Sequence, residues 1–126
     1  EGNSGPYLQY AYARVCSLVD KYAVLVPGVD PLKNPLLLAE PVEKELALRL
    51  TQFPATVVRA AEAYKPSVLA DYLFGLSQVY SSFYQRSPVL KAEPAVRDSR
   101  IRLCAMVAQV LAEGLGLLGI RTPRRI

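Results

Sequence analysis

The sequence predicts an all-α fold, a single bundle of about five helices. Apolar residues recur every three or four positions along most of the chain, which is the spacing that gathers them on one face of a helix. No segment alternates convincingly between apolar and polar residues, and neither Asn-Gly nor Asp-Gly, the strongest hairpin-turn signals, occurs. Prolines also punctuate the chain at positions where helices can begin, since the first helical N–H has no partner within the helix.

The first predicted helix runs from Pro6 to about Tyr22. Residues 24–40 contain several prolines, a density that forbids a long helix, so we expect an irregular link there. Three consecutive leucines lie in this link, at positions 36–38. We therefore expect these three side chains to fix it to the core.

Each of the remaining helices is predicted to begin at a proline. These starting residues are Pro41, Pro54, Pro66 and Pro94. The second helix is predicted to include Phe53. The fourth ends near Arg86, because Pro88 disfavours helical angles in the residue before it. The fifth is predicted to end at Gly114, where a glycine-rich stretch begins.

That glycine-rich stretch, residues 114–119, fits Gly-x-Gly-x-x-Gly, the fingerprint of dinucleotide-binding loops. The fingerprint works only between a strand and a helix, where the helix N-terminus faces a pyrophosphate. Here the glycines follow a long predicted helix. We therefore interpret them as the end of that helix and not as a nucleotide site.

Composition is that of one folded domain. A chain of 126 residues is long enough for one domain that buries most of its apolar surface, but too short for two such domains. No apolar run approaches the ~20 residues needed to cross a bilayer, and no secretion signal is recognisable, so we expect a soluble, cytoplasmic chain. Cys16 and Cys104 both lie in apolar helical patterns, which favours reduced core thiols over a disulfide.

The residues needed for common catalysis are missing. The chain has no histidine, which excludes Ser-His and Cys-His catalysis and histidine metal ligation together. Two isolated cysteines do not furnish a zinc site, and no Gly-x-x-x-x-Gly-Lys phosphate loop occurs. We predict no catalytic residue and no metal site in these 126 residues.

Binding chemistry is present instead. Tyr7, Tyr10 and Arg14 fall at i, i+3 and i+7 of the first helix and so share one face. Two rings beside a planar cation suit the stacking of unpaired nucleobases with a phosphate nearby. The alternative is that the rings half-bury against the protein and the arginine closes a surface ion pair.

The net charge of +4 permits a phosphate-rich partner, and the arginines cluster at two places. One group is Arg97, Arg100 and Arg102, and the other is Arg121, Arg124 and Arg125. Solvated helix faces account for most such clusters, so charge alone leaves the partner open.

Five segments, in order, are familiar. They are NSGPYLQYAYAR at 3–14, EKELALRL at 43–50 followed by Phe53-Pro54, DYLFGL at 71–76 leading to 83–84 and 88–90, residues 97–103, and GLGLLGI at 114–120. Together they closely resemble the anticodon-binding (DALR) C-terminal domain of arginyl-tRNA synthetase, a class I enzyme. The resemblance implies the helical fold of class Ia anticodon-binding domains over residues 6–126, with residues 1–5 as a truncated linker.

The resemblance also implies site residues. Tyr7 and Tyr10 match aromatic contacts at the start of the family's domain, Tyr84 matches the aromatic after the central helix, and Ile126 matches a terminal methionine near the anticodon loop. Tyr12 departs from the pattern, because many relatives have histidine there. On charge and position we add three candidates for phosphate contacts, which are Arg14, Arg124 and Arg125.

The function implied is binding of the anticodon arm of arginine tRNA, as one domain of an arginine–tRNA ligase. The ligase's His-Ile-Gly-His and Lys-Met-Ser-Lys-Ser signatures do not occur here, so ATP and Mg²⁺ would belong to a catalytic domain absent from this sequence. We expect no cofactor, no DNA and no membrane as partner of this domain. Two alternatives remain open: a non-catalytic tRNA-binding adaptor with the same fold, and a helical protein-interaction module whose tyrosines simply pack.

Overall fold

The structure, a computed structural model, describes residues 4–126. This part of the chain contains five α-helices, one short 3₁₀ helix and no strand, which confirms the all-α prediction. The helices are α1 (Ser4–Leu25), α2 (Pro41–Thr51), α3 (Phe53–Ala63), α4 (Pro66–Arg86) and α5 (Pro94–Leu117), with the 3₁₀ helix at Pro31–Lys33.

Prolines begin the helices largely as predicted. Pro41, Pro66 and Pro94 are the first residues of α2, α4 and α5. Phe53, predicted to close the second helix, is instead the first residue of α3, because only Gln52 separates the two helices. Helix α1 begins at Ser4, before Pro6, since a proline in the first turn removes an N–H that needs no helical partner. Of the predicted linker, residues 1–3 lie outside the described residues.

Helix α5 forms the centre of the bundle, with α1, α2 and α4 packed around it. Its inward residues have no exposed surface, and they are Ile101, Leu103, Cys104, Val107, Leu111 and Leu115. Cys16 of α1 is buried as well, and both cysteines are free thiols. The prediction of reduced core cysteines is confirmed.

The link between α1 and α2 is fixed mainly by polar contacts. The buried Asn34 donates from Nδ2 to the Tyr22 hydroxyl (3.2 Å) and to the carbonyl of Asp98 (3.0 Å), and Arg102 donates to the Asn34 carbonyl (2.8 Å). The prediction that leucines 36–38 all fix the link is wrong for Leu37, which is exposed. The other two leucines pack against the core.

A buried ion pair joins the start of α2 to α5. Glu43 accepts from the Glu40 N–H (2.9 Å) and from Arg100 Nε (2.5 Å), while Arg100 also donates to the carbonyl of Pro88 (2.8 Å). Burial alone would raise the pKa of Glu43, but the hydrogen bonds from Glu40 and Arg100 outweigh it and lower the pKa below its usual 4.5. The Glu43–Arg100 pair therefore joins the start of α2 to α5 and to the loop that precedes α5.

The glycine-rich segment ends α5, as predicted, but later than predicted. The helix continues past Gly114 to Leu117 and closes where Gly119 adopts a left-handed φ of 75°. The N–H groups of Gly119 and Ile120 then bond to the carbonyls of Gly116 (3.0 Å) and Leu115 (2.9 Å), the Schellman pattern. Gly114 lies inside the helix because α4 packs against it: a Cβ there would stand 2.7 Å from both methyl groups of Leu73.

Replacing Gly114 by alanine is expected to destabilise the fold. The added methyl meets fully buried Leu73, and such overpacking costs about 1–3 kcal/mol, against a gain of up to about 1 kcal/mol in helix propensity. Gly116→Ala is the matched control, since a Cβ there meets no atom within 4 Å. Urea unfolding should give a higher free energy of unfolding for Gly116→Ala than for Gly114→Ala. Equal stability of the two variants would contradict the close approach of Leu73 to Gly114.

The Glu43 ion pair predicts an acid limit to stability. Because the folded pKa is lowered, the ionised carboxylate stabilises the fold at neutral pH, and this contribution is lost as pH falls through the folded pKa, below 4.5. Glu43→Gln should lower the free energy of unfolding by about 3 kcal/mol at pH 7. As the pH falls below 4.5, the free energy of unfolding of this variant should decrease less steeply than that of the wild type. Glu45→Gln, an exposed neighbour, is the control. Parallel acid profiles for wild type and Glu43→Gln would argue against this role.

Candidate nucleic-acid interface

Helices α1 and α4 enclose a cavity of about 290 Å³ on one side of the bundle. Its lining residues are Tyr7, Tyr10, Ala11 and Arg14 from α1, and Ser77, Tyr80, Ser81 and Tyr84 from α4. The structure thus brings together four of the residues singled out from the sequence, although Tyr84 is about 70 positions from the other three.

The rings in this cavity are neither fully buried nor freely solvated. Tyr7, Tyr10 and Tyr84 expose 42%, 57% and 47% of their surface. Tyr7 leans on Phe74, with ring centroids 5.1 Å apart and planes at 47°. This contact holds the ring in place while leaving much of it open. The rings are therefore preorganised and partly exposed, as a stacking surface needs to be.

Tyr80 forms the floor of the cavity and is not among the candidate site residues identified from the sequence. It is 9% exposed, and its ring lies 6.2 Å from that of Tyr84 at an interplanar angle of 27°. Burial raises the pKa of Tyr80, and its neighbours Cys104 and Tyr84 raise it further, so the phenol stays neutral. The i, i+4 spacing of Tyr80 and Tyr84 was the signal for this pair.

Two further cavities continue the first along α1. One of about 80 Å³ is lined by Arg14, Ser17, Leu18, Lys21, Tyr80 and Tyr84. The next, of about 320 Å³, is lined by Ser17, Asp20, Lys21, Val24, Arg124 and Arg125. Neighbouring cavities share lining residues, and this row of three cavities is called here the tyrosine groove.

The tyrosine groove has aromatic residues at one end and positive charge along the rest. Arg14, Lys21, Arg124 and Arg125 line it, whereas Asp20 is the one acidic residue among the lining residues. Such a gradient suits a ligand that carries flat apolar groups on an anionic backbone.

The C-terminal tail lies along α1 and forms one wall of the groove. Gln9 donates to the Arg121 carbonyl (2.8 Å), and Arg124 donates to Asp20 Oδ1 (2.5 Å) and to Cys16 Sγ (3.4 Å). Part of the Arg124 charge is therefore neutralised within the protein, while Arg125 stays exposed. Ile126 is 65% exposed but does not line the groove, so its role stays a prediction.

Comparison with known proteins decides the family. A family model described as the DALR anticodon binding domain matches residues 8–126. The chain belongs to the DALR anticodon-binding domain family. The resemblance inferred from its sequence segments is thereby confirmed.

The relatives of this DALR domain are longer proteins. The arginine–tRNA ligases of Cellvibrio japonicus and Hahella chejuensis are 44% and 45% identical to it over 100% of the chain, which corresponds to 22% and 21% of their own length. The solved arginyl-tRNA synthetase of Thermus thermophilus matches the whole chain with a TM-score of 0.85 and 38% identity over 22% of that structure. The DALR domain therefore spans about a fifth of the length of these relatives.

The other arginine cluster has a structural role in this DALR domain. Arg97 pairs with the adjacent Asp98 (2.9 Å), Arg100 with the buried Glu43, and Arg102 with the Asn34 carbonyl. Arg100 and Arg102 therefore join α5 to α2 and to the link, whereas the Arg97 pair lies within α5.

Tyr12, the residue expected from the sequence to depart from the family pattern, does not line the groove. Tyr12 is buried, and burial raises the pKa of its phenol, as does the neighbouring Cys16 thiol. Arg124 of the C-terminal tail is close enough to lower that pKa in part. Among residues 4–126 no group of three or more potential metal ligands occurs, and no helix is long and apolar enough to cross a membrane.

Removing the carboxylate of Asp20 is expected to loosen the tail. The Asp20–Arg124 pair is half exposed and worth at most about 1 kcal/mol, so Asp20→Asn should leave overall stability nearly unchanged while raising the mobility of residues 122–126. Backbone ¹⁵N relaxation measures this directly. Glu113→Gln, an exposed acid without an ion pair in the described part of the chain, is the control. Unchanged order parameters in the tail would refute the contact.

Proposed function

We propose that the tyrosine groove binds the anticodon arm of a tRNA, with unpaired bases stacked on its rings and phosphates held by its cations. One observation carries this proposal: in a chain of the DALR anticodon-binding family, Tyr7, Tyr10 and Tyr84 surround one cavity with half of each ring exposed. Proteins read RNA sequence mainly at unpaired bases, and an anticodon loop presents them.

The size of the cavity and its neighbours support a stacking role. About 290 Å³ accommodates a flat base between partly open rings, and each base stacked on an aromatic ring contributes about 1–3 kcal/mol. Two or three such stacks exceed the contribution of any single surface ion pair, about 0–1 kcal/mol. Arg14 lies between the rings and Lys21, where a backbone phosphate following the stacked base would pass. Arg124 and Arg125 extend the positive wall beyond it.

The identity of the relatives supports a more specific proposal. They are arginine–tRNA ligases, and the DALR domain corresponds to about a fifth of each. We infer that the domain positions arginine tRNA for a catalytic domain of the same polypeptide, which would use ATP and Mg²⁺ in the cytoplasm. The domain itself would contribute no catalytic group.

The rings of Tyr10 and Tyr84 provide the test. Tyr10→Ala and Tyr84→Ala should each weaken binding of an arginine tRNA transcript roughly tenfold, because each removes a stacking surface, with little change in melting temperature at these exposed positions. Tyr64→Ala, at a 90% exposed tyrosine that does not line the groove, is the matched control. Fluorescence anisotropy with labelled transcript measures the dissociation constants.

The same titration separates the alternatives. A transcript with a changed anticodon should bind more weakly than the arginine tRNA transcript if the bases are read. Equal affinity for both would favour a tRNA-binding adaptor that does not inspect the anticodon. No binding of either transcript, or unfolding of Tyr10→Ala or Tyr84→Ala, would favour a protein-interaction module whose rings serve packing. Arg14→Ala should make the slope of the logarithm of the binding constant against the logarithm of the salt concentration shallower by about one unit.

A further inference from the structure

A second cleft, separate from the tyrosine groove, opens between α2, α3 and α4. It has a volume of about 640 Å³, and its lining includes Arg49 and Gln52 near the end of α2, Thr56 and Arg59 on α3, and Asp71 and Tyr72 on α4. No part of the proposed tRNA-binding role uses this cleft.

The guanidinium of Arg49 packs between the Tyr72 ring and the backbone at Gly75, a position called here its seat. Its Cζ atom lies 5.2 Å from the centroid of the Tyr72 ring, and the Tyr72 hydroxyl donates to the Arg49 carbonyl (2.6 Å). Burial raises the pKa of Tyr72 to about 12, so the ring remains a neutral phenol beneath the cation. Gly75, inside α4, provides the remaining space: a Cβ there would overlap Nη2 of Arg49 and stand 3.0 Å from Cζ.

Within residues 4–126 the Arg49 guanidinium contacts the Tyr72 ring but forms no ion pair with a carboxylate. Its Nε is buried without an acceptor, as is the Nε of Arg102 in α5, but only Arg49 lines an open cleft. Both a buried unpaired donor and a glycine in a helix interior lower stability. The contact with the Tyr72 ring offsets part of these costs, and it leaves a guanidinium without an anionic partner beside an open cleft.

The cleft and the tyrosine groove use opposite sides of α4. Val68 and Tyr72 line the cleft, whereas Ser77, Ser81 and Tyr84 line the groove. Successive residues of a helix are about 100° apart, which places these two sets roughly half a turn from each other. A base stacked in the groove therefore does not reach Arg49.

We propose that this cleft binds a phosphate group, held between the guanidinium groups of Arg49 and Arg59. Both side chains line the cleft, Arg49 from α2 and Arg59 from α3, and a guanidinium presents a planar fork of donors that suits phosphate oxygens. A tetrahedral phosphate has oxygens for both forks, whereas a planar carboxylate is satisfied by one. Asp71, the one acid in the lining, forms no ion pair with either arginine in the described part of the chain, and it limits the affinity by repulsion.

The phosphate has two possible sources, a small phosphorylated molecule or the backbone of an RNA, and the experiment separates them. The ¹⁵N-labelled 126-residue chain is titrated with inorganic phosphate, with chloride at matched ionic strength, and with a stem–loop RNA carrying an arginine anticodon. Phosphate should shift the amide signals lining the cleft and chloride should not. If the RNA shifts the cleft signals and inorganic phosphate does not, the source is a phosphate of the RNA backbone.

The decisive variant is Gly75→Ala, which keeps every charge. The new methyl would overlap Nη2 of Arg49 and force the guanidinium out of its position on the Tyr72 ring, so phosphate affinity should fall roughly tenfold while the chain stays folded. Gly116→Ala, a helix glycine with no atom within 4 Å of an added Cβ, should leave affinity unchanged. Arg49→Ala should abolish the shifts, and Asp71→Asn should tighten binding several-fold.

The outcomes are distinct. Cleft shifts that are lost in Gly75→Ala and Arg49→Ala but kept in Gly116→Ala support the site. Absence of cleft shifts with both phosphate and RNA, equal shifts with chloride, or phosphate binding unaffected by Arg49→Ala would overturn it. Because the readout is at cleft residues, failure here leaves tRNA binding in the tyrosine groove unaffected, and the reverse also holds.

Discussion

The position of α4 against α5 is the constraint on which the functional surfaces depend. Gly114 lets Leu73 approach α5 at full van der Waals contact, and this apolar contact fixes the depth and the rotation of α4. With its rotation fixed, α4 turns Tyr84 toward α1 and Tyr72 toward α2 and α3. A small shift of this one helix would change both depressions together.

Positive charge in this chain has two separate uses. Arg97, Arg100 and Arg102 bond to carboxylates and carbonyls within the fold, and the first two belong to ion pairs. Arg14 and Arg49 face depressions and have no ion pair among residues 4–126. The net charge of +4 does not distinguish these groups, because an arginine paired inside the protein counts the same as one directed at a ligand.

What could be predicted from the sequence followed from local geometry. The proline starts and the 3.6-residue spacing predicted five helices, and the i, i+3, i+7 spacing placed Tyr7, Tyr10 and Arg14 on one face, where the structure has them. The family resemblance, not spacing, added Tyr84.

Contacts between distant residues were out of reach. The Asp20–Arg124 pair joins positions 104 apart, and the seat of Arg49 depends on Gly75. Nothing in the residues near Asp20 or Arg49 indicates these partners, because only the packing of whole helices brings them together. The prediction that α5 ends at Gly114 is wrong for the same reason, because the missing side chain of Gly114 makes room for Leu73 of another helix.

The burial of both thiols has a practical consequence. Cys16 and Cys104 are the only cysteines of the chain, both are almost fully covered, and burial raises the pKa of Cys104 to about 12. Alkylating reagents at neutral pH would therefore spare them in the folded protein. A cysteine introduced at an exposed rim position such as Ser17 would be the single reactive sulfur, so a fluorophore could be attached there without first removing the native ones.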